Sequence, residues 1–143
     1  MQASEATLAY LAIVCDVTGS MGPWVDATKQ HIAGIVRDLK QAMPEHDFKV
    51  AFVGYRDVTD VRHIHVEDFT SNPRIDVEAR TEASEVDWAE DVLGGLAHAV
   101  AGLSWGTGCR NLLLISDAPA HGTRFGDRAG SRFEDGAVPM SAY

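Results

Sequence analysis

Three oxygen-bearing side chains fall within five residues, Asp16, Thr18 and Ser20, and a second carboxylate, Asp117, follows a distant apolar run. Two carboxylates and two hydroxyls, with water completing the shell, make a hard oxygen ligand set suited to Mg2+ or Mn2+, with Ca2+ also compatible. The set offers no thiolate and no imidazole, which disfavours zinc. Thr18 and Ser20 are two residues apart, so an extended turn would point both hydroxyls the same way as Asp16. Gly19 and Gly22 allow the backbone to bend tightly around a small ion. The plainer alternatives are that Asp16 and Asp117 serve as turn or helix caps and that Thr18 and Ser20 cap the helix that follows. Ser20 is the better ligand of the two hydroxyls because it falls just before Gly22-Pro23.

These residues matter only if strands deliver them to one place. Leu8 to Cys15 is a nearly continuous apolar run, which predicts a central strand covered on both faces. Phe48 to Gly54 predicts a second buried strand, and Asn111 to Ser116 a third, ending in Asp117-Ala118-Pro119. His63 to Glu67 alternates more and predicts a short edge strand. Between them, Trp24 to about Gln41 has helical apolar spacing (Val25, Ile32, Ile35, Val36, Leu39), opened by Pro23 and stopped at Pro44. Asp87 to Leu103 predicts another helix with Val92, Leu96 and Val100 on one side, and Ile75 to Ala83 a short one. Alternation of strand and helix predicts an α/β fold, Rossmann-like and three-layered (α/β/α), with a mostly parallel sheet and one antiparallel edge strand. In such a sheet the loops at the C-terminal strand ends converge, and Asp16 and Asp117 both stand at such ends.

Composition bounds the rest. A chain of 143 residues is expected to form one domain over 1–143. Twelve Lys and Arg against 21 Asp and Glu give a net charge of −9, which repels nucleic acid and anionic lipid. No apolar run reaches the roughly 20 residues of a membrane span, and no basic-then-apolar leader opens the chain; the expectation is a cytoplasmic protein. Cys15 and Cys109 would lie at opposite ends of neighbouring parallel strands, about 20 Å apart, far beyond disulfide reach. Dinucleotide binding is disfavoured because the first turn lacks Gly-x-Gly-x-x-Gly.

Asp16-Val17-Thr18-Gly19-Ser20 resembles the Asp-x-Ser/Thr-x-Ser signature of the metal-ion-dependent adhesion site in von Willebrand factor A domains, and Ile115-Ser116-Asp117 resembles the later Asp of that family. Gly54-Tyr55-Arg56-Asp57 and Ser116-Asp117-Ala118-Pro119-Ala120-His121-Gly122 are similar to segments of the branch attached to some alpha-kinases and found in bacterial proteins. The similarity runs from Leu8 to Gly122, leaving 123–143 as an irregular tail or long loop. It implies a metal-dependent protein-binding module in which a divalent cation, ligated by Asp16, Thr18, Ser20 and Asp117, coordinates an acidic residue of a partner protein.

The chain departs from the family pattern twice. Where many members supply a Thr, it has Val86-Asp87-Trp88-Ala89-Glu90-Asp91-Val92, so Asp87 or Glu90 is expected near the ion, with Asp91 a further possibility. An added carboxylate would hold the cation more strongly while lowering the positive charge offered to an acidic ligand. The C-terminal part is also shortened, which would leave a sheet edge uncovered and open to a second copy or another chain. Arg56 and Asp57 are read as an ion pair bracing adjacent loops, or Asp57 as holding a metal-bound water. His121 is read as a loop histidine rather than a general base, and His63 with His65 as lacking a third metal ligand. Trp24, Trp88 and Trp105 are read as packing aromatics. The rival readings are a Mg2+-dependent phosphatase of the haloacid-dehalogenase type and an assembly subunit recruiting another chain by its edge. The phosphatase lacks its usual second Asp, since Thr18 stands there, and no kinase segment is present.

Overall fold

The computed structural model describes residues 7–57, 60, 63–73 and 90–120, apart from the side chains of 20 and 22–26. Strand β1 (Thr7–Asp16) lies between β2 (His46–Tyr55) and β4 (Cys109–Ile115) and is parallel to both. Strand β3 (Ile64–Thr70) pairs antiparallel with β2, giving the order β3-β2-β1-β4. The α/β fold with its antiparallel edge strand is therefore as expected, and the unbroken apolar run of β1 is explained by its central place.

Alternate residues of the strands feed two cores. Ile13, Cys15, Val50 and Phe52 point to one face, where Ile32 and Val36 of helix α1 (Gly22–Ala42) cover them. Ala12, Val14, Ala51, Val53 and Tyr55 point to the other, against Val92 of helix α2 (Val92–Ala97) and Ala99 and Leu103 beyond it. Burying a side chain such as Ile32 contributes about 1.5–3 kcal/mol. Pro23 sits in the first turn of α1, and the helix closes where the Met43 N–H donates to the Leu39 carbonyl, one residue before Pro44. Ile35 lies off the buried stripe, 41% exposed.

The second helix differs from the expected span. Its first helical residue is Val92: Asp91 is its N-cap, accepting from the Gly94 N–H at 2.9 Å, and Glu90 is in extended backbone bridged to Ala120. A wider π-type turn, His98–Gly102, continues it. In this turn Ala99 packs into the core beside Val92, whereas Val100 is 67% exposed. Strand β3 extends to Thr70, beyond the expected Glu67, and His63 precedes it. The helix expected over Ile75 to Ala83, together with Asp87, Trp88, His121 and the tail over 123–143, lies outside the described residues.

Cys15 pairs in register with Ile115 and Cys109 with Ala9, so the two thiols sit at opposite ends of their strands and both are free. Trp105 is a packing residue: its indole N–H donates to the Ala99 carbonyl at 2.7 Å, and its ring meets Phe69 at 4.6 Å. The chain enters β4 through Gly108, whose φ of +144° and close approach to the Leu8 carbonyl leave no room for a Cβ. Among the described residues β4 pairs with β1 alone, and Leu112 and Leu114 on it are 39% and 42% exposed. No helix among them is long and apolar enough to cross a membrane.

Candidate metal centre

Parallel register sets the geometry. Asp16 is level with Tyr55 across β1 and β2, and Cys15 with Ile115 across β1 and β4. The C-terminal ends of three strands therefore stand side by side, and the segments leaving them meet. Val17 N–H donates to the Tyr55 carbonyl at 3.0 Å, and Glu90 N–H donates to the Pro119 carbonyl at 3.1 Å.

Arg56 joins these segments. Its N–H donates to the His63 carbonyl at 2.8 Å, its carbonyl accepts from the Asp91 N–H at 3.2 Å, and its guanidinium donates to the Val17 carbonyl at 3.2 Å. Both Arg56 and Asp57 are buried. Arg56 thus braces adjacent loops through hydrogen bonds of its N–H, its carbonyl and its guanidinium with the backbone of three other segments.

Asp16 has no exposed surface. Its Oδ1 accepts from the Thr18 N–H at 2.9 Å and from the Thr18 hydroxyl at 2.6 Å, while its Oδ2 is buried with no hydrogen-bond partner. Burial pushes the Asp16 carboxyl up to about 6; the two Thr18 hydrogen bonds oppose this, and Asp117, close enough to share a proton, reinforces it. The N-cap position of α1 is Met21, which makes no side-chain cap. The turn is a tight 3-10 one over Gly19–Met21 rather than extended. The Ser20 side chain lies outside the described residues.

Glu90 comes to the same place from the other side. Its Oε2 is buried with no hydrogen-bond partner. Burial raises its carboxyl to about 9, and Asp16, Asp57, Asp60 and Asp117 each push in the same direction. The structure brings Asp16, Thr18, Glu90 and Asp117 to one end of the sheet, with Asp117 more exposed than the others. It gives Asp91 to the start of α2.

Two neighbours had no reading from sequence. Asp60 adds negative charge from the turn that its N–H closes on the Asp57 carbonyl at 3.0 Å; the Asp57-x-x-Asp60 spacing was the available signal. Tyr55 is fully buried, and burial above all, then the nearby Asp16, Cys15 and Glu90, hold its pKa well above the usual value against the opposing effect of the Ser116 hydroxyl. The paired histidines do not form a site, since His65 meets Glu67 at 3.1 Å on the exposed edge strand.

Among the described residues, no three His, Cys, Asp or Glu side chains are arranged to hold a metal ion by themselves. Any cation here would need hydroxyl and water ligands as well. The orphaned oxygens of Asp16 and Glu90 fit that requirement: each is a buried acceptor facing other acceptors, and such a group is costly unless a donor or a cation meets it.

No family model matches the chain. It is 30% identical over 128 residues to the alpha-protein kinase vwkA of Dictyostelium discoideum, a match covering 85% of this chain and 20% of that protein. The chain thus spans about a fifth of the length of the relative it matches. The fold is found in the pilus adhesin SpaC of Lactobacillus rhamnosus GG, with a TM-score of 0.58 at 11% identity, over 80% of this chain and 15% of that one.

Proposed function

We propose that this chain is a protein-interaction module that holds a divalent cation at the ends of β1 and β4 and uses it to coordinate an acidic side chain of a partner. The observation carrying this reading is the Asp16 carboxyl, fully buried, fixed by Thr18 through one oxygen and left without a donor at the other, beside Asp117 and Glu90. Mg2+, Mn2+ or Ca2+ would be met by Asp16, Thr18 and Asp117, with Ser20 and water as further oxygen ligands. A bound cation supplies positive charge and an exchangeable position in a site of low dielectric, where attraction to a carboxylate is strong. The similarity to vwkA, whose name suggests a von Willebrand factor A region, agrees with an interaction role; kinase activity is not carried over. Trp105, Tyr10 and Phe69 pack together away from the site, so selectivity falls to the loops around Asp16 and Asp117.

Calorimetric titration with Mn2+ and Mg2+ tests the reading. The intact chain should bind one equivalent, Asp16→Asn should bind none, and absence of binding by the intact chain refutes it. The phosphatase reading has no acid–base group at Thr18 to support it.

A second reading has its own observation, the exposed Leu112 and Leu114 on β4 among the described residues. An edge of this kind can pair with a second copy or another chain. Sizing with light scattering separates the two, because an edge-paired oligomer survives chelation by EDTA and a cation-mediated contact does not.

A further inference from the structure

We propose that the groove between the last turns of α1 and the turn after β3 is a second docking site, which takes a peptide of another protein through an acidic side chain flanked by an apolar one. It lies apart from the candidate metal centre and needs no metal ion, so it goes beyond the reading above. Thr70, the last residue of β3, is paired with Val50, five residues before Tyr55, which is level with Asp16. At about 3.3 Å per residue, groove and metal centre are separated by roughly 17 Å along the sheet.

The groove has a volume of about 400 Å3, within the range of pockets that hold a ligand by shape. Ala33, Val36 and Pro73 supply its apolar lining, and the exposed Arg37 and Lys40 its charge. No Asp or Glu among the described residues lines it, although the chain carries a net charge of −9. The turn that closes it is held by two of the chain's three lysines. Lys40 Nζ donates to the Ser71 carbonyl at 3.0 Å, and Lys49 Nζ, paired with Asp47 at 3.1 Å, donates to the Ser71 hydroxyl. The Arg37 side chain is 67% exposed, and among the described residues only its Nε is bonded, to Asp38 at 3.2 Å. The groove is thus formed before a ligand arrives, so less ordering is needed on docking.

Charge decides the kind of ligand. An extended polyanion such as nucleic acid or an anionic membrane meets the whole acidic surface and is repelled. A peptide presenting one or two carboxylates meets mainly the charges within about 8 Å, the screening length at physiological salt. There Arg37 and Lys40 outweigh Asp38, while Lys49 and Asp47 offset each other. Arg37 offers a planar fork that fits a carboxylate, and Lys40 a point charge beside it. A neighbouring Leu or Phe of the peptide covers Ala33, Val36 and Pro73.

The test uses the intact chain in EDTA, which takes metal ions out of play, with the synthetic peptide acetyl-Glu-Leu-Glu-Leu-amide as probe. In an amide-resolved NMR titration the signals of Ser71, Asn72 and residues 33–41 of α1 should shift and saturate, and added NaCl should weaken the binding. Replacing both Glu of the peptide by Gln should weaken it about tenfold, and so should the double variant Arg37→Gln/Lys40→Gln, as two exposed ion pairs allow. Ala33→Glu leaves both cations and the Ser71 contacts in place and should weaken it as much, which guards against a disturbed turn in the double variant. The proposal is overturned by shifts that do not saturate or that map to the C-terminal ends of β1 and β4. Equal binding of the Gln peptide or by both protein variants overturns it too, as does inorganic phosphate producing the same shifts at the same concentration. None of these results touches the metal-dependent reading, since no cation is present.

Discussion

Asp16→Asn should stabilise the metal-free protein at neutral pH, although the same change removes a proposed ligand. Asparagine keeps the shape of the side chain, and its carbonyl oxygen can still accept from the Thr18 N–H and hydroxyl, now at 2.9 and 2.6 Å. Its amide would sit where Oδ2 is orphaned and donate toward Asp117. The size of the gain follows from the Asp16 carboxyl, raised from 3.8 to about 6. At about 1.4 kcal/mol per unit this corresponds to up to about 3 kcal/mol. Because the folded pKa lies above the unfolded one, the folded state binds more protons between them. The stabilisation from this group is complete below about 4 and is lost as pH rises through about 6. Above that, the ionised Asp16 opposes folding unless a cation meets it. In EDTA at pH 8, thermal unfolding of Asp16→Asn should occur at higher temperature than the unsubstituted chain, by up to roughly 10 °C for a domain of this size. Near pH 4 the difference should largely vanish. Saturating Mg2+ should raise the unsubstituted chain and leave the variant unmoved. An Asp16→Asn protein less stable than its parent in EDTA at pH 8 would refute the account of Asp16 as an uncompensated buried carboxylate.

Other expectations follow from the same geometry. Mn2+ affinity measured by calorimetry should rise with pH through about 6, with proton release visible in buffers of different ionisation heat, because Asp16 must lose its proton to ligate. Gly95→Ala would place a Cβ 2.6 Å from the Tyr55 ring, so urea unfolding should show a loss of roughly 1–3 kcal/mol together with weakened Mn2+ binding. Cys15, buried and raised to about 12 by burial and then by Asp16 and Asp117, should resist Ellman's reagent at pH 8 while exposed Cys109 reacts; equal rates would contradict the assigned burial.

The strands were legible because their signal is local. The apolar runs of β1 and β2 specify a buried strand whatever lies beside them, and the polar turn after Cys15 marks where the chain leaves the sheet. Helix α2 was misjudged at its start because Asp87 to Asp91 carries ordinary helix-compatible residues. What ends the helix at Asp91 is tertiary: the Asp91 N–H goes to the Arg56 carbonyl and the Glu90 N–H to the Pro119 carbonyl. The side assigned to Val100 failed for a related reason, since the buried contact beneath that turn is made by Ala99, too small to stand out in a sequence pattern. At the site, Asp16, Thr18 and Asp117 could be singled out by spacing and strand ends. That Asp91 caps α2 while Glu90 is bridged to Ala120, 30 residues away, is tertiary and is not encoded in spacing.

Arg56 gives the module a mechanical property. Its amide hydrogen, its carbonyl oxygen and its guanidinium go to three different stretches of chain, at His63, Asp91 and Val17. Pulling on any one of these stretches loads the other two through a single residue. A protein engaging the loop after Asp16 would therefore be felt at the entry to the edge strand and at the first turn of α2, on the opposite face of the sheet from α1.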